Sequence, residues 1–364
     1  MDPLRHVKPA VRAVKAYTLA ARQALVKINQ NENPYDLPES VKRRVVERAL
    51  MRSWSRYPDF DPKELLQALA AFSGWRPEGV LAGNGSNELI EALLVVTVGP
   101  GTRVVIPEPT FTLYGLLTSI LGGEAVRVPL APELEYDAGA LRRARRESQA
   151  GVTIVCSPHN PTGGVLAVEE VERLCADADG LVVVDEAYHE FSGQSVVPLL
   201  ARHENLVVLR TFSKAMALAG LRVGYLLASP ALVREINKAR LPYNLNFFSQ
   251  AAALAALENR RELENAVRRL VAMREETFQA LSVVPGVRPY GSRANFILFE
   301  LLDRDPKAVF EALYKRGVLV RDVTSYPRLE RCLRVSIGSP DENAAFLDAL
   351  REALTETFEG VEGR

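Results

Sequence analysis

From about residue 79 to 230 the chain repeats one theme: a short apolar run, a turn rich in Gly, Pro or Asn, then a stretch with helical spacing. Four runs stand out, Arg103-Val-Val-Ile106, Val152-Thr-Ile-Val-Cys156, Leu181-Val-Val-Val-Asp185 and Leu206-Val-Val-Leu-Arg210. None alternates between apolar and polar, so both faces of each strand should be covered, as in a parallel sheet flanked by helices. The rhythm predicts an α/β fold with a mostly parallel central sheet. Polar residues gather just past the C-terminal ends of these runs, notably Asn160, Asp185, Tyr188, Ser213 and Lys214. That edge of a parallel sheet is where open α/β folds bind ligands.

Before the repeating block, Ser40 to Met51 and Asp61 to Phe72 have helical spacing, separated by the turn Trp54-Ser-Arg-Tyr-Pro-Asp59. After it, Gln250 to Leu281 predicts one or two long helices. The C-terminal part then changes to short strands, Asn295-Phe-Ile-Leu-Phe299, Val318-Leu-Val-Arg321 and Cys332-Leu-Arg-Val-Ser336, with helices near Lys307 to Lys315 and Glu342 to Thr357. A smaller α+β domain is expected there. The predicted division is an arm over 1–30 that joins the small domain, a large domain over 31–255, and the small domain over 256–364.

Composition narrows the function. The 364 residues carry 45 Lys+Arg against 45 Asp+Glu, so no net field attracts nucleic acid or an anionic membrane. No apolar run approaches the roughly 20 residues needed to span a bilayer, and charges scattered through the first 15 residues argue against a signal peptide. The three cysteines, Cys156, Cys175 and Cys332, form no CxxC pair, which suits a reducing, cytoplasmic compartment. The four histidines never fall at i, i+4, so no catalytic metal is expected. The polar cluster Asp185-Glu-Ala-Tyr-His-Glu190 reads better as a turn beyond a strand than as a ligand set.

The chemistry concentrates in Arg210-Thr-Phe-Ser-Lys214-Ala-Met-Ala-Leu-Ala-Gly-Leu-Arg222-Val-Gly224-Tyr225. A lone lysine after a strand is ordinarily a surface charge. Here Ser213, Lys214 and Arg222 crowd the sheet edge, while Gly220 and Gly224 permit close backbone approach. With Asp185 and Asn160 they suit a pyridoxal 5′-phosphate (PLP) site. A lysine can condense with the cofactor aldehyde, and a carboxylate at the pyridine nitrogen keeps it protonated, so the ring accepts electrons. Asp185 is the candidate carboxylate; Tyr188 and Asn160 can donate hydrogen bonds to the phenolate oxygen. Gly83-Asn-Gly-Ser86-Asn87 precedes a helical stretch near Glu88 whose N-terminus would hold an anion, with Ser213 and Arg222 completing the cup.

At this level the chain resembles the fold-type I PLP-dependent aminotransferases and, among them, the histidinol-phosphate aminotransferases. The resemblance rests on Asn31-Glu-Asn-Pro34, Tyr57-Pro-Asp59, Gly83-Asn-Gly-Ser-Asn-Glu88, Pro109-Thr-Phe-Thr-Leu-Tyr114, His159-Asn-Pro-Thr-Gly163, Asp185-Glu-Ala-Tyr188, Thr211-Phe-Ser-Lys214 through Gly224, Ala294-Asn-Phe296, and Leu333-Arg-Val-Ser-Ile-Gly338 followed by Glu342-Asn343. It implies that Lys214 carries the cofactor and shuttles the proton between the substrate carbon and C4′. It further implies Asp185 at the pyridinium, Asn160 and Tyr188 at the phenolate oxygen, and Ser86, Asn87, Ser213 and Arg222 at the phosphate. Phe111 would stack on the ring, and Tyr57 would reach the phosphate of the other subunit in a homodimer. Arg334, Arg321 and Tyr17 would contact the substrate, a guanidinium fork matching carboxylate or phosphate.

Three positions depart from the family's usual pattern: His159 where Asn is common, Phe111 where Tyr is frequent, and Asn87 where Asp is commoner. Phe111 still stacks but lacks a hydroxyl, and His159 beside Asn160 could alter ring contacts or pH dependence. The leading expectation is amino transfer between histidinol phosphate and 2-oxoglutarate, the cofactor alternating between PLP and pyridoxamine phosphate. An aromatic amino-acid aminotransferase and a PLP lyase, such as a decarboxylase of a phosphorylated amino acid, use the same cofactor residues and stay open at this point. A non-catalytic PLP-binding regulator usually carries a separate DNA-binding domain, for which no spare length is expected here.

Overall fold

All five residues of Val152–Cys156 are buried, and successive side chains there and in the neighbouring strands enter two different apolar clusters. Ile154, Cys156, Val183 and Leu209 pack on one side, and Val155, Val182, Val184 and Val208 on the other. The period of two is that of any strand, and apolar residues on both faces are what a central sheet between helix layers requires. The computed structural model describes residues 2–16, 22–177 and 179–362.

The first strand, Val26–Lys27 (β1), belongs to the small part of the molecule. Seven others form the main sheet: Val80–Gly83 (β2), Arg103–Glu108 (β3), Glu124–Pro129 (β4), Val152–Cys156 (β5), Leu181–Asp185 (β6), Leu206–Thr211 (β7) and Gly224–Leu227 (β8). Their order is β2-β8-β7-β6-β5-β3-β4. Only β8 runs antiparallel to its neighbours, so the sheet is mostly parallel, as the apolar runs imply. Sequence pattern alone misses β2, β4 and β8. The edge strand β4 is largely part-exposed and interrupted by Arg127, and β2 and β8 are four residues each with glycine at an end.

Beyond the sheet, the predicted long helical stretch is two helices, Phe247–Glu258 and Arg260–Ser282, broken at Asn259, whose side chain bonds back to the Ala255 carbonyl. Val287–Pro289 (β9) and Phe296–Leu301 (β10) follow. The run expected as one strand from Val318 is two, Val318–Leu319 (β11) and Arg321–Asp322 (β12), because each half has a different partner. β11 pairs with β1, whereas β12 pairs with Cys332–Ser336 (β13) in a four-stranded antiparallel sheet of order β12-β13-β10-β9. Helices Pro306–Lys315 and Pro340–Glu362 complete this part. The β1 segment ties the N-terminal stretch to the C-terminal strands and delivers Asn29, Gln30 and Asn31 to the edge where β5, β6 and β7 end.

Candidate active site

All the residues expected to contact cofactor or substrate except Tyr17 and Tyr57 line one cavity of about 310 Å³ at this edge. Its floor is an anion cup. The helix Ser86–Thr97 begins after Gly85, whose φ of +83° is left-handed territory open to glycine, and its first turn faces Arg222. A Cβ on Gly85 would lie 2.4 Å from Arg222 Nη2, and one on Gly224 would lie 2.3 Å from the Ser86 amide nitrogen. These glycines therefore bring a helix N-terminus and a guanidinium together. Arg222 Nη1 donates to Ser213 Oγ at 3.0 Å, which fixes both around the same spot. Asn87, exposed in the first turn, lies at its rim. Backbone amides, a hydroxyl and a guanidinium suit a phosphate group.

Above the cup sit the titratable groups. Asp185, the last residue of β6, is 4% exposed, and burial raises its carboxyl to about 6. The Tyr114 hydroxyl, which donates to Oδ2 at 2.6 Å, and the Ala187 amide at Oδ1 hold it lower than burial alone would. Lys214, just past β7, is pushed down from the usual lysine value to about 8, first by burial and then by the nearby Arg334, with Arg222 adding to the effect. Its Nζ donates to the Gln30 carbonyl at 2.8 Å. A buried carboxylate and a lysine of lowered proton affinity at one sheet edge are what a cofactor with a cationic ring nitrogen and an aldehyde would engage.

The remaining wall holds the substrate-side groups. Tyr188 is buried, its ring edge-on to Phe296, and burial raises its hydroxyl above the ordinary tyrosine range. Phe111 stands edge-on to Tyr114 with ring centres 5.5 Å apart. Arg334 on β13 pairs in register with Arg321 on β12, so two guanidinium-bearing residues stand side by side over the cavity. Arg334 donates to Asn160 Oδ1 and, at 3.1 Å, to the Asn29 carbonyl, and lies 5.0 Å over the Phe296 ring. With its oxygen taken by Arg334, Asn160 has its NH2 group left to donate.

Tyr57 lies away from this cavity, 79% exposed and stacked on Tyr243 at 4.4 Å. Tyr17 lies outside the described residues. His159 is fully buried, bonded through Nδ1 to Thr162 and packed edge-on to Tyr136, and burial lowers it to about 3. It therefore stays neutral across the physiological range and does not line the cavity, which removes the pH role its position beside Asn160 suggested. Sequence reasoning assigned no role to Tyr114, Asn31 or Ser336, although all three lie within segments it quoted. For Ser336 the available signal was a hydroxyl set between Val335 and Ile337, two residues after Arg334.

The family model of aminotransferase class I and II matches residues 23–350. The chain belongs to this family. The histidinol-phosphate aminotransferase of Chlorobium phaeovibrioides is 41% identical to this aminotransferase over 96% of the chain and 97% of its own length. That of Desulfitobacterium hafniense is 37% identical over 96% of the chain and 97% of its own length. Among solved structures, the histidinol-phosphate aminotransferase of Sinorhizobium meliloti in complex with pyridoxal-5′-phosphate superposes with a TM-score of 0.87 at 26% identity, covering 96% of this chain and 98% of that one. The aminotransferase thus has the fold-type I architecture that its motifs imply.

Proposed function

We propose that this aminotransferase moves the amino group of histidinol phosphate to 2-oxoglutarate, giving imidazole acetol phosphate and glutamate, with PLP as its cofactor, in histidine biosynthesis. The observation that carries the reading is near-full-length similarity, at 36–43% identity, to proteins named histidinol-phosphate aminotransferase. The site supports it chemically, because the cavity offers two separate anion stations. One is the cup of Ser86, Ser213 and Arg222; the other is the Arg321–Arg334 pair. A phosphorylated amine on a phosphorylated cofactor needs two.

When bound, PLP supplies an aldehyde and a ring that accepts electrons. Asp185 holds the proton at the ring nitrogen, and Tyr188 and Asn160 donate to the phenolate oxygen. Ser86, Asn87, Ser213 and Arg222 hold the phosphate, and Phe111 packs on the ring face. Lys214, with its amine near 8, is poised to give up and retake a proton at the substrate carbon around neutral pH. Arg334 and Arg321 orient the substrate's anionic group, the bidentate fork of each favouring phosphate or carboxylate.

The same proposal includes a homodimer in the cytoplasm. Exposed Tyr57 is free to reach a second subunit, and the three cysteines are buried free thiols. No helix among the described residues is long and apolar enough to cross a membrane. Glutamate formation from histidinol phosphate and 2-oxoglutarate, compared between the parent and Lys214→Ala, tests the reading. The parent should turn over and the variant should lose at least about a thousandfold in kcat. Release of CO2 without consumption of keto acid would replace it with a lyase.

A further inference from the structure

Three consecutive residues of the N-terminal segment each touch a different group of the site. Asn29 accepts from Arg334, Gln30 accepts from Lys214, and Asn31 donates through Nδ2 to the Tyr188 hydroxyl at 3.0 Å. Asn31 is 1% exposed, and its side-chain amide also meets Ser336 on β13. The hydrogen bonds of this chain run in one consistent direction. Ser336 Oγ accepts from the Asn31 backbone N–H at 2.8 Å, so its own proton is free to go to Asn31 Oδ1, 3.0 Å away. An oxygen so occupied leaves the amide's NH2 as the group facing Tyr188. The phenol oxygen is then an acceptor towards Asn31. Its own proton has no acceptor among the described residues and is directed into the cavity.

We propose that Asn31 and Ser336 are positioning residues that set the direction of the Tyr188 proton, making Tyr188 an obligate donor to the group it faces in the cavity. The inference rests on the PLP reading, in which that group is the cofactor's phenolate oxygen. A donated proton there stabilises the anionic oxygen and lowers the proton affinity of the nitrogen that Lys214 contributes. The Asn31 N–H also polarises the phenol and strengthens its donation. Ser336 lies two residues from Arg334 on the same strand, so the arginine proposed to grip substrate and the serine that starts the relay move together. The charged and titratable groups around the relay are Arg334, Arg222, Lys27 and Glu32 near Lys214, and Asp185 and Cys156 near Tyr188. The variants below leave all of these in place.

The test is a pH titration of the visible absorbance of the PLP-loaded protein, without substrate. Asn31→Asp is nearly isosteric but presents only acceptors when ionised, so it should draw the Tyr188 proton away from the cavity. The midpoint should rise by about one unit or more, comparably to Tyr188→Phe. A new negative charge alone would also raise it, and the double variant separates the two causes. In a Tyr188→Phe background Asn31→Asp should add little further, because its effect acts through the lost hydroxyl. Ser336→Ala, which frees the amide to flip, should raise the midpoint by a smaller amount and decides the matter should Asn31→Asp not fold. Full additivity in the double variant, or an unmoved midpoint in Asn31→Asp or Ser336→Ala, overturns the relay. Failure of the unaltered protein to show a PLP band overturns the cofactor reading itself.

Discussion

Tyr114 donates a 2.6 Å hydrogen bond to Asp185 Oδ2, so the carboxylate proposed to face the cofactor ring nitrogen is held by a phenol three residues beyond Phe111, the residue proposed to stack on that ring. One short helix, Leu113–Ile120, thus begins beside both the face and the nitrogen end of the proposed ring site. A neutral donor against a buried carboxylate favours the ionised form that a pyridinium needs.

Asp185 sits at about 6 in the protein without cofactor. Below that pH it is neutral and cannot pair with a protonated pyridine, so PLP affinity should fall as the pH drops through 6. Tyr114→Phe removes a lowering influence and should move this acid limb upward by about one unit. Fluorescence titration of the apoprotein with PLP at a series of pH values measures it, and an unmoved limb would contradict the role given to Tyr114.

Lys214 must be uncharged to attack an aldehyde, and its amine lies near 8. The rate of PLP incorporation into apoprotein should rise with pH around a midpoint near 8 and level off above it. Arg334→Gln removes the second-largest cause of the lowering and should shift the midpoint up. Stopped-flow absorbance gives both values; a midpoint above 10 in the parent would refute the depressed amine.

The two cup glycines should respond unequally. At Gly85 an added Cβ meets the far end of the flexible Arg222 side chain, although the positive φ adds strain. At Gly224 it meets the backbone nitrogen of Ser86, which cannot step aside without moving the helix N-terminus. Gly224→Ala should therefore weaken PLP retention more than Gly85→Ala, by at least about tenfold, in equilibrium dialysis.

Behind the site, Glu186 and Arg210 form a buried ion pair, reinforced by Ser195 and the Val196 amide. Removing one partner strands the other's charge. Glu186→Ala should cost about 3–5 kcal/mol in denaturant unfolding, and adding Arg210→Met should recover part of the loss.

Much of this was legible because parallel strands covered on both faces write themselves as unbroken apolar runs. Val152–Cys156, Leu181–Asp185 and Cys332–Ser336 match their sequence-read bounds. Lys214, Asp185 and Arg222 were legible because charged groups beside such runs need a chemical reason. What stayed hidden depends on distant pairing. The break between Val318–Leu319 and Arg321–Asp322 exists only because β1 and β13 compete for one run. Asn31 and Ser336, 305 positions apart, acquire a role only where the fold joins them. His159 failed in the opposite direction, since adjacency in sequence to Asn160 placed it on the buried side of the turn.

The most direct test of the central claim is a half-reaction: histidinol phosphate is mixed with the PLP-loaded protein without any keto acid, and the visible band is followed. The predicted result is conversion to the pyridoxamine phosphate spectrum, one equivalent per site, reversed by 2-oxoglutarate. Conversion by phenylalanine or tyrosine with none by histidinol phosphate would contradict it.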